Sequence, residues 1–170
     1  MRKTRLAAAP FAADNKHGCS FCFSFLFFPA PMLHRLIYIS RAVASSDAEL
    51  QTIVTWCLEE NPRLQITGAL CFLDGVYIQY IEGEEDGLDS LFSRIRVDVR
   101  HTSVTLLERR AIPNRAFPQW AMKLLEWDDY SKAVFRSFSP GASLDLYAAD
   151  PTTAAPLVRA LFRGPDWKLT

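Results

Sequence analysis

An excess of one charge is missing from this 170-residue chain: Lys and Arg total 19, and so do Asp and Glu. No overall field then draws it to nucleic acid or to an anionic membrane. Cysteine is scarce, with Cys19, Cys22, Cys57 and Cys71 only. Cys19-Ser-Phe-Cys22 is a lone CxxC with no second pair and no histidine at finger spacing, so no metal site is expected. Cys57 and Cys71 fall inside a helical and a strand pattern, where cysteine acts as a small apolar residue. The three histidines, His17, His34 and His101, suit no Ser/His/Asp scheme. Neither a GxGxxG nor a Walker loop occurs, which excludes Rossmann and P-loop nucleotide sites as far as motifs can. No internal repeat and no second domain is visible.

A long hydrophobic run is missing too. Phe21 to Phe28 is too short to span a bilayer. The polar break Asp14-Asn15-Lys16 and the Pro29-Ala-Pro31 step are wrong for a secretory signal. Residues 1–31 are expected to be a disordered tail, or upstream sequence translated ahead of a true start at Met32. The expected protein is cytoplasmic and contacts no membrane. Its domain covers residues 32–125, followed by a helical cap over 126–170.

What is present centres on Ile66 to Gly83. Two runs rich in β-branched and aromatic residues flank Asp74-Gly75, a pair suited to a two-residue type I′ turn. That turn places Leu73 opposite Val76, Phe72 opposite Tyr77 and Leu70 opposite Gln79. Alternation then puts Gly68, Leu70, Phe72, Tyr77, Gln79 and Ile81 on one face. Gln79 is a primary amide on an apolar face, and without partners it would cost roughly 1–3 kcal/mol. It bonds either to neighbouring backbone or water, or to a ligand held against the sheet.

Leu33 to Ser40 reads as a central strand, with Leu36 and Tyr38 on one side and Ile37 and Ile39 on the other. Ser46 and Glu49 make a capping box ahead of the stripe Leu50, Ile53, Val54, Cys57 and Leu58. Asn61 continues that stripe, and Pro62 disfavours helix at Asn61. A second helix follows Gly83, with the stripe Leu88, Leu91, Phe92 and Ile95, and Asp98 on the same side. Arg94, Arg96 and Arg100 near its end complement the helix dipole. Val104 to Ile112 reads as a fourth strand. Trp120 to Leu125 reads as a fifth, with Trp120, Met122 and Leu124 on one face.

This order is the α+β, ferredoxin-like split βαβ arrangement with one extra strand. It implies a five-stranded mixed sheet with two helices on one face. Ala69, Cys71, Leu73, Val76, Ile78 and Tyr80 need cover on the other. Two C-terminal helices supply it: one capped by Asp128, carrying Tyr130, Val134 and Phe138 and stopped by Ser139-Pro140-Gly141. The other runs from Thr153 to Arg163 with Leu157, Ala160 and Leu161, ends at Gly164-Pro165, and has its first turn disturbed by Pro156.

Tyr38, Asn61, Gln79, Asp98 and Met122 come from five elements and can all reach the space between sheet and helices. There the chain resembles the BLUF family of flavin-based blue-light sensors. The matching stretches are Leu33-His-Arg-Leu-Ile-Tyr38-Ile-Ser40, Asn61-Pro62, Ile66-Thr-Gly-Ala-Leu70, Tyr77-Ile-Gln79-Tyr-Ile-Glu-Gly83, Asp98-Val-Arg100-His101 and Arg115-Ala-Phe-Pro-Gln-Trp120-Ala-Met122, in the family's order. Gln65 stands where the family usually has Gly, and Ala121 where Ser is common.

The resemblance implies FAD held non-covalently between the two helices, and no conversion of substrate to product. It implies Asn61 on the C4=O/N3 edge of the ring and Arg94 near the other carbonyl. Asp98, Arg100 and His101 would contact the ribityl or phosphate side. Tyr38 would donate an electron and a proton, and Gln79 would bridge Tyr38 to flavin N5/O4 and rearrange, shifting the absorption to the red. Trp120 and Met122 would exchange places near the ring and pass the change to the C-terminal helices. With no domain following Leu125, the output would go to a downstream signalling protein, with assembly between copies of the chain and no role for nucleic acid. The alternative is a flavin-free, ferredoxin-like interaction module.

Overall fold

The computed structural model describes residues 32–44, 46–125, 127–138, 147 and 150–163, all within the compact unit Pro31–Thr170. The expected extension over 1–31, the Cys19–Cys22 pair and the helix stops at 139–141 and 164–165 lie outside them. Five strands and four helices follow in order: β1 (Leu33–Ala42), α1 (Asp47–Arg63), β2 (Thr67–Leu73), β3 (Val76–Glu84), α2 (Glu85–Val97), β4 (His101–Ala111), β5 (Lys123–Leu125), α3 (Asp129–Phe138) and, after a 3₁₀ turn at Pro151–Thr153, α4 (Ala154–Leu161). The sheet order is β4-β1-β3-β2-β5. All neighbours are antiparallel except β2 and β5, which run parallel. This is the expected ferredoxin-like α+β sheet. Among the described residues no helix is long and apolar enough to cross a membrane.

The turn at the centre forms as its chemistry requires. Asp74 has φ 48° and Gly75 φ 76°, the left-handed pair of a type I′ turn. It sets Leu73 against Val76, Phe72 against Tyr77 and Leu70 against Gln79. On the other side of β3, Gln79 lies directly opposite Tyr38. Strand alternation then divides the interior in two. Leu36, Tyr38, Leu70, Tyr77 and Ile81 join Ile53, Cys57, Leu88, Leu91 and Ile95 under α1 and α2. Ile37, Ile39, Ala69, Cys71, Val76, Ile78 and Tyr80 join Phe135, Leu157, Val158 and Leu161 under α3 and α4.

α1 begins at the expected capping box, Ser46 with Glu49, but does not stop at Asn61. Pro62 sits inside its last turn, where the following residues close the helix in a Schellman motif. Ile66 N–H donates to the Asn61 carbonyl at 2.8 Å and Gln65 N–H to the Pro62 carbonyl at 3.1 Å. Gln65, the donor of that last bond, has φ 53°. Glycine suits that left-handed position.

Four expectations change. Leu58 is 49% exposed, because the buried stripe of α1 narrows to Ile53, Cys57 and Asn61. β4 starts at His101 rather than Val104. On α3, Tyr130 faces out and Ser131 and Phe135 are buried. β5 is only Lys123–Leu125, since Trp120 N–H turns back to the Phe117 carbonyl at 3.3 Å. Strand alternation therefore fails across the Trp120–Met122 stretch. Trp120 packs with the α3/α4 core and Met122 with the α1/α2 core, so the two do not share a face.

Candidate cofactor site

The site is built from the β1–β3 pair outward. Tyr38 and Gln79 are each 2% exposed, and the Tyr38 hydroxyl donates to Gln79 Oε1. That bond fixes the amide: its oxygen is used, so its nitrogen points away. Among the described residues Gln79 Nε2 meets only sulfur, with Met122 Sδ at 3.6 Å and Cys57 Sγ at 3.9 Å. Sulfur is a weak acceptor, so an amide with two good donors is left poorly matched. Burial pushes the Tyr38 phenol well above its ordinary range, with the Cys57 and Tyr77 groups adding to it. Burial also lifts the Cys57 thiol to about 11. Both stay protonated at neutral pH.

One helical turn beyond Cys57, Asn61 is fully buried. Its Nδ2 donates to the Ala121 carbonyl at 2.7 Å, which leaves Oδ1 as a buried acceptor with no partner among the described residues. An unmet group of that kind costs roughly 1–3 kcal/mol. A ligand that brings an N–H to Asn61 and an acceptor to Gln79 satisfies both amides. The imide edge of a flavin ring, an N–H between two carbonyls, has that chemistry. The residues therefore fit the group.

A cavity of about 230 Å³ opens beside Gln79, walled by Tyr38, Cys57, Gln79, Arg94, Asp98 and His101 among others; Asn61 and Met122 lie behind its lining rather than in it. Its mouth is charged. Arg100 clasps Asp98 through Nε–Oδ1 at 2.9 Å and Nη2–Oδ2 at 2.5 Å, holding the Asp98 carboxyl below the usual carboxylate range. His101 exchanges a hydrogen bond with Ser40 Oγ at 2.9 Å, and burial pushes its proton affinity down. Arg94 reaches from α2 towards α1, 3.4 Å from Glu60 Oε2 and 5.0 Å above the Trp56 ring. Its side chain stays half exposed.

The fold thus brings Tyr38, Gln79, Arg94, Asp98, Arg100 and His101 around one cavity, with Met122 against Gln79 and Asn61 beside Cys57. It puts Trp120 elsewhere, stacked on Phe117 at 5.3 Å and tilted to Phe162 at 6.0 Å on the reverse face. Sequence reasoning missed two neighbours of the cavity. Cys57 stands four residues before Asn61 on the same helix face, a spacing that was open to reading. Trp56 lies off that stripe, and no pattern marked it.

Three comparisons bear on this site. The family model described as sensors of blue-light using FAD matches residues 33–123. The photoactivated adenylate cyclase subunit beta of Euglena longa is 36% identical over 92 residues, which is 53% of this chain and 11% of that protein. The chain thus spans about a tenth of the length of that relative. Among solved structures, a bacterial light-regulated adenylyl cyclase is 41% identical with a TM-score of 0.53, covering 55% of this chain and 28% of the other. The dark state of BlrB, a BLUF protein, is 28% identical with a TM-score of 0.63, covering 78% of this chain and 96% of the other.

Proposed function

This chain belongs to the BLUF family of blue-light sensors that use FAD, and we propose that it senses blue light through a flavin seated between α1 and α2 in the Tyr38–Gln79 cavity. The observation that carries the reading is the Tyr38–Gln79 pair, a buried phenol donating to an amide whose own nitrogen meets only sulfur among the described residues. When bound, the flavin supplies a chromophore whose excited state takes up an electron and a proton. Tyr38 gives up both, since a phenol is one of the few redox-active side chains. Its proton is held in the dark by Gln79 Oε1. Once the phenol ceases to donate, the amide loses the bond that fixed its orientation. Gln79 then exchanges donor and acceptor ends, and the new orientation is the signalling state.

Asn61 would orient the ring through its unmet Oδ1 while its Nδ2 stays on Ala121. Asp98, Arg100 and His101 would hold the polar part of the cofactor, with Arg94 beside them on α2. A cavity of about 230 Å³ is below the usual range of roughly 300–1,000 Å³ for whole ligands, so it would hold only part of the cofactor. We assign the domain no substrate and no turnover. The change at Gln79 moves Met122, and residues 120–125 carry it to the cap helices and on to a separate partner protein or a second copy of the chain.

Purification in darkness, with FAD supplied in excess, tests the reading. The expected product is yellow, releases FAD on acid treatment, and shows a red shift under blue light that reverses in the dark. A protein that stays colourless, or a bound flavin without the shift, overturns it. Release of FMN alone overturns only the FAD assignment.

A further inference from the structure

On the reverse face of the sheet, a second set of charged groups has no part in flavin binding. Two cavities, of about 380 and 480 Å³, open where β4, the 112–117 loop and α4 meet, and Arg35 and Arg159 line both. Arg115 and Arg163 line the first, and Arg110 lines the second. Shared walls make the pair one elongated groove. Some of this charge is matched. Glu108 takes up Arg35 at 2.5 Å. Arg109, on the same rim, pairs with Asp89 and Glu85. Arg115 donates to the Glu82 and Gln65 carbonyls, and the buried Glu82 carboxylate lies under the same loop, bonded to the N–H groups of Ala116 and Phe117.

Arg110, Arg159 and Arg163 have no acidic partner among the described residues. In a chain of zero net charge, three unmatched arginines on one groove are a local excess. The dipole of α4 favours Arg159 in its last turn. It does not explain Arg110, which comes from β4. Nor does it explain Arg163, which lies beyond the last helical residue, Leu161.

We propose that this groove docks an extended acidic segment of a partner protein, with carboxylates seated on Arg159 and Arg163. The charge supports it: both arginines line the same cavity, and neither has an acidic partner among the described residues. Ile112, Pro113 and Phe162 line the same cavity as apolar wall, which suits the aliphatic stems of such a segment. Nucleic acid fits less well, because it favours a continuous basic track on a basic protein. The inference rests on the reading that the domain signals to another protein, but the binding itself needs neither flavin nor light.

The test uses the full chain and fluorescence anisotropy with a labelled peptide in which glutamate alternates with valine. A matching glutamine peptide and a single-stranded DNA oligonucleotide serve as comparisons. The expected result is saturable binding of the glutamate peptide, weakened at least about tenfold in Arg159→Gln/Arg163→Gln, a loss of about 1.4 kcal/mol. Arg96→Gln, on exposed α2 across the sheet, should bind like wild type. If the double variant loses its circular dichroism, Arg163→Gln alone carries the comparison, since Arg163 is exposed beyond the helix. No saturable binding, equal binding of the glutamine peptide, tighter binding of DNA, or an undiminished affinity in the folded variants would each overturn the proposal. Because flavin loading is read separately from the spectrum, a colourless protein that binds the peptide refutes the light reading and leaves this one standing.

Discussion

Asn61 and Ala121 are joined by a 2.7 Å hydrogen bond from Nδ2 to the backbone carbonyl, and Ala121 lies between Trp120 and Met122, which enter opposite cores. The end of α1 is thereby tied to a stretch of chain that sends adjacent side chains to both faces of the sheet. Because the bond uses backbone on the Ala121 side, the Ser common there in the family is not needed for it. A change at Gln79 that moves Met122 has Trp120 two residues away. That coupling needs two discrete packings with different contacts, not proximity alone.

Met122→Ala should keep the flavin and most of the red shift, because Gln79 retains Tyr38 as its partner. It should weaken any light-dependent change in assembly or partner binding. Light scattering in darkness and under blue light measures this. Equal light responses in wild type and variant would discard the Met122–Trp120 route.

Tyr38→Phe removes one buried hydroxyl and one hydrogen bond, a loss on the order of 1 kcal/mol, so fold and flavin should survive. The light-induced red shift should vanish. A full shift in this variant would refute the donor role. Gln79→Leu should likewise abolish the normal shift, because Leu can neither accept from Tyr38 nor donate to the ring.

Gln65→Gly should stabilise the protein. Gln65 holds φ 53° at the end of α1, where a side chain costs on the order of 1 kcal/mol and glycine is at ease. Its other bonds use backbone atoms and are kept: N–H to Pro62 and the carbonyl to Arg115. The melting temperature should rise by about 2–4 °C. An unchanged or lower value would show that glycine's extra freedom in the unfolded chain outweighs the relief.

Acidification should erode stability in two windows. Burial lowers the proton affinity of His101 in the fold, so the unfolded chain binds that proton more readily. Its contribution is complete above the unfolded value of about 6.5 and falls as pH drops from there. Hydrogen bonds from Arg100 hold Asp98 low, so its contribution is complete above about 3.9 and is lost as pH falls through the native value. Thermal melts across pH should show the upper window flattened in His101→Gln and the lower in Asp98→Asn. Unaltered slopes would show that other groups govern the acid limb.

Phe135→Ala should cost about 3–5 kcal/mol, since Phe135 is fully buried against the reverse face of the sheet. Chemical denaturation measures the loss. A cost below about 1 kcal/mol would mean that the cap contributes little to the fold.

The sequence by itself determined the hairpin, its register and the two faces of the sheet, because a type I′ turn and a period of two leave no freedom once both ends are apolar. It also placed Tyr38 and Gln79 on one face, and the α1 capping box formed as written. The tertiary structure alone decided the rest. Whether Pro62 would end α1 depended on the Schellman closure through Ile66 and Gln65, which propensity does not see. Trp120 and Met122 parted because the chain turns at 117–120 before β5 begins, so alternation counted from Trp120 is wrong by a face. The unmet Asn61 oxygen appears only when Ala121 arrives to take the nitrogen. Local patterns fix what neighbouring residues dictate to each other. Which groups are left without a partner is settled only when distant segments have packed.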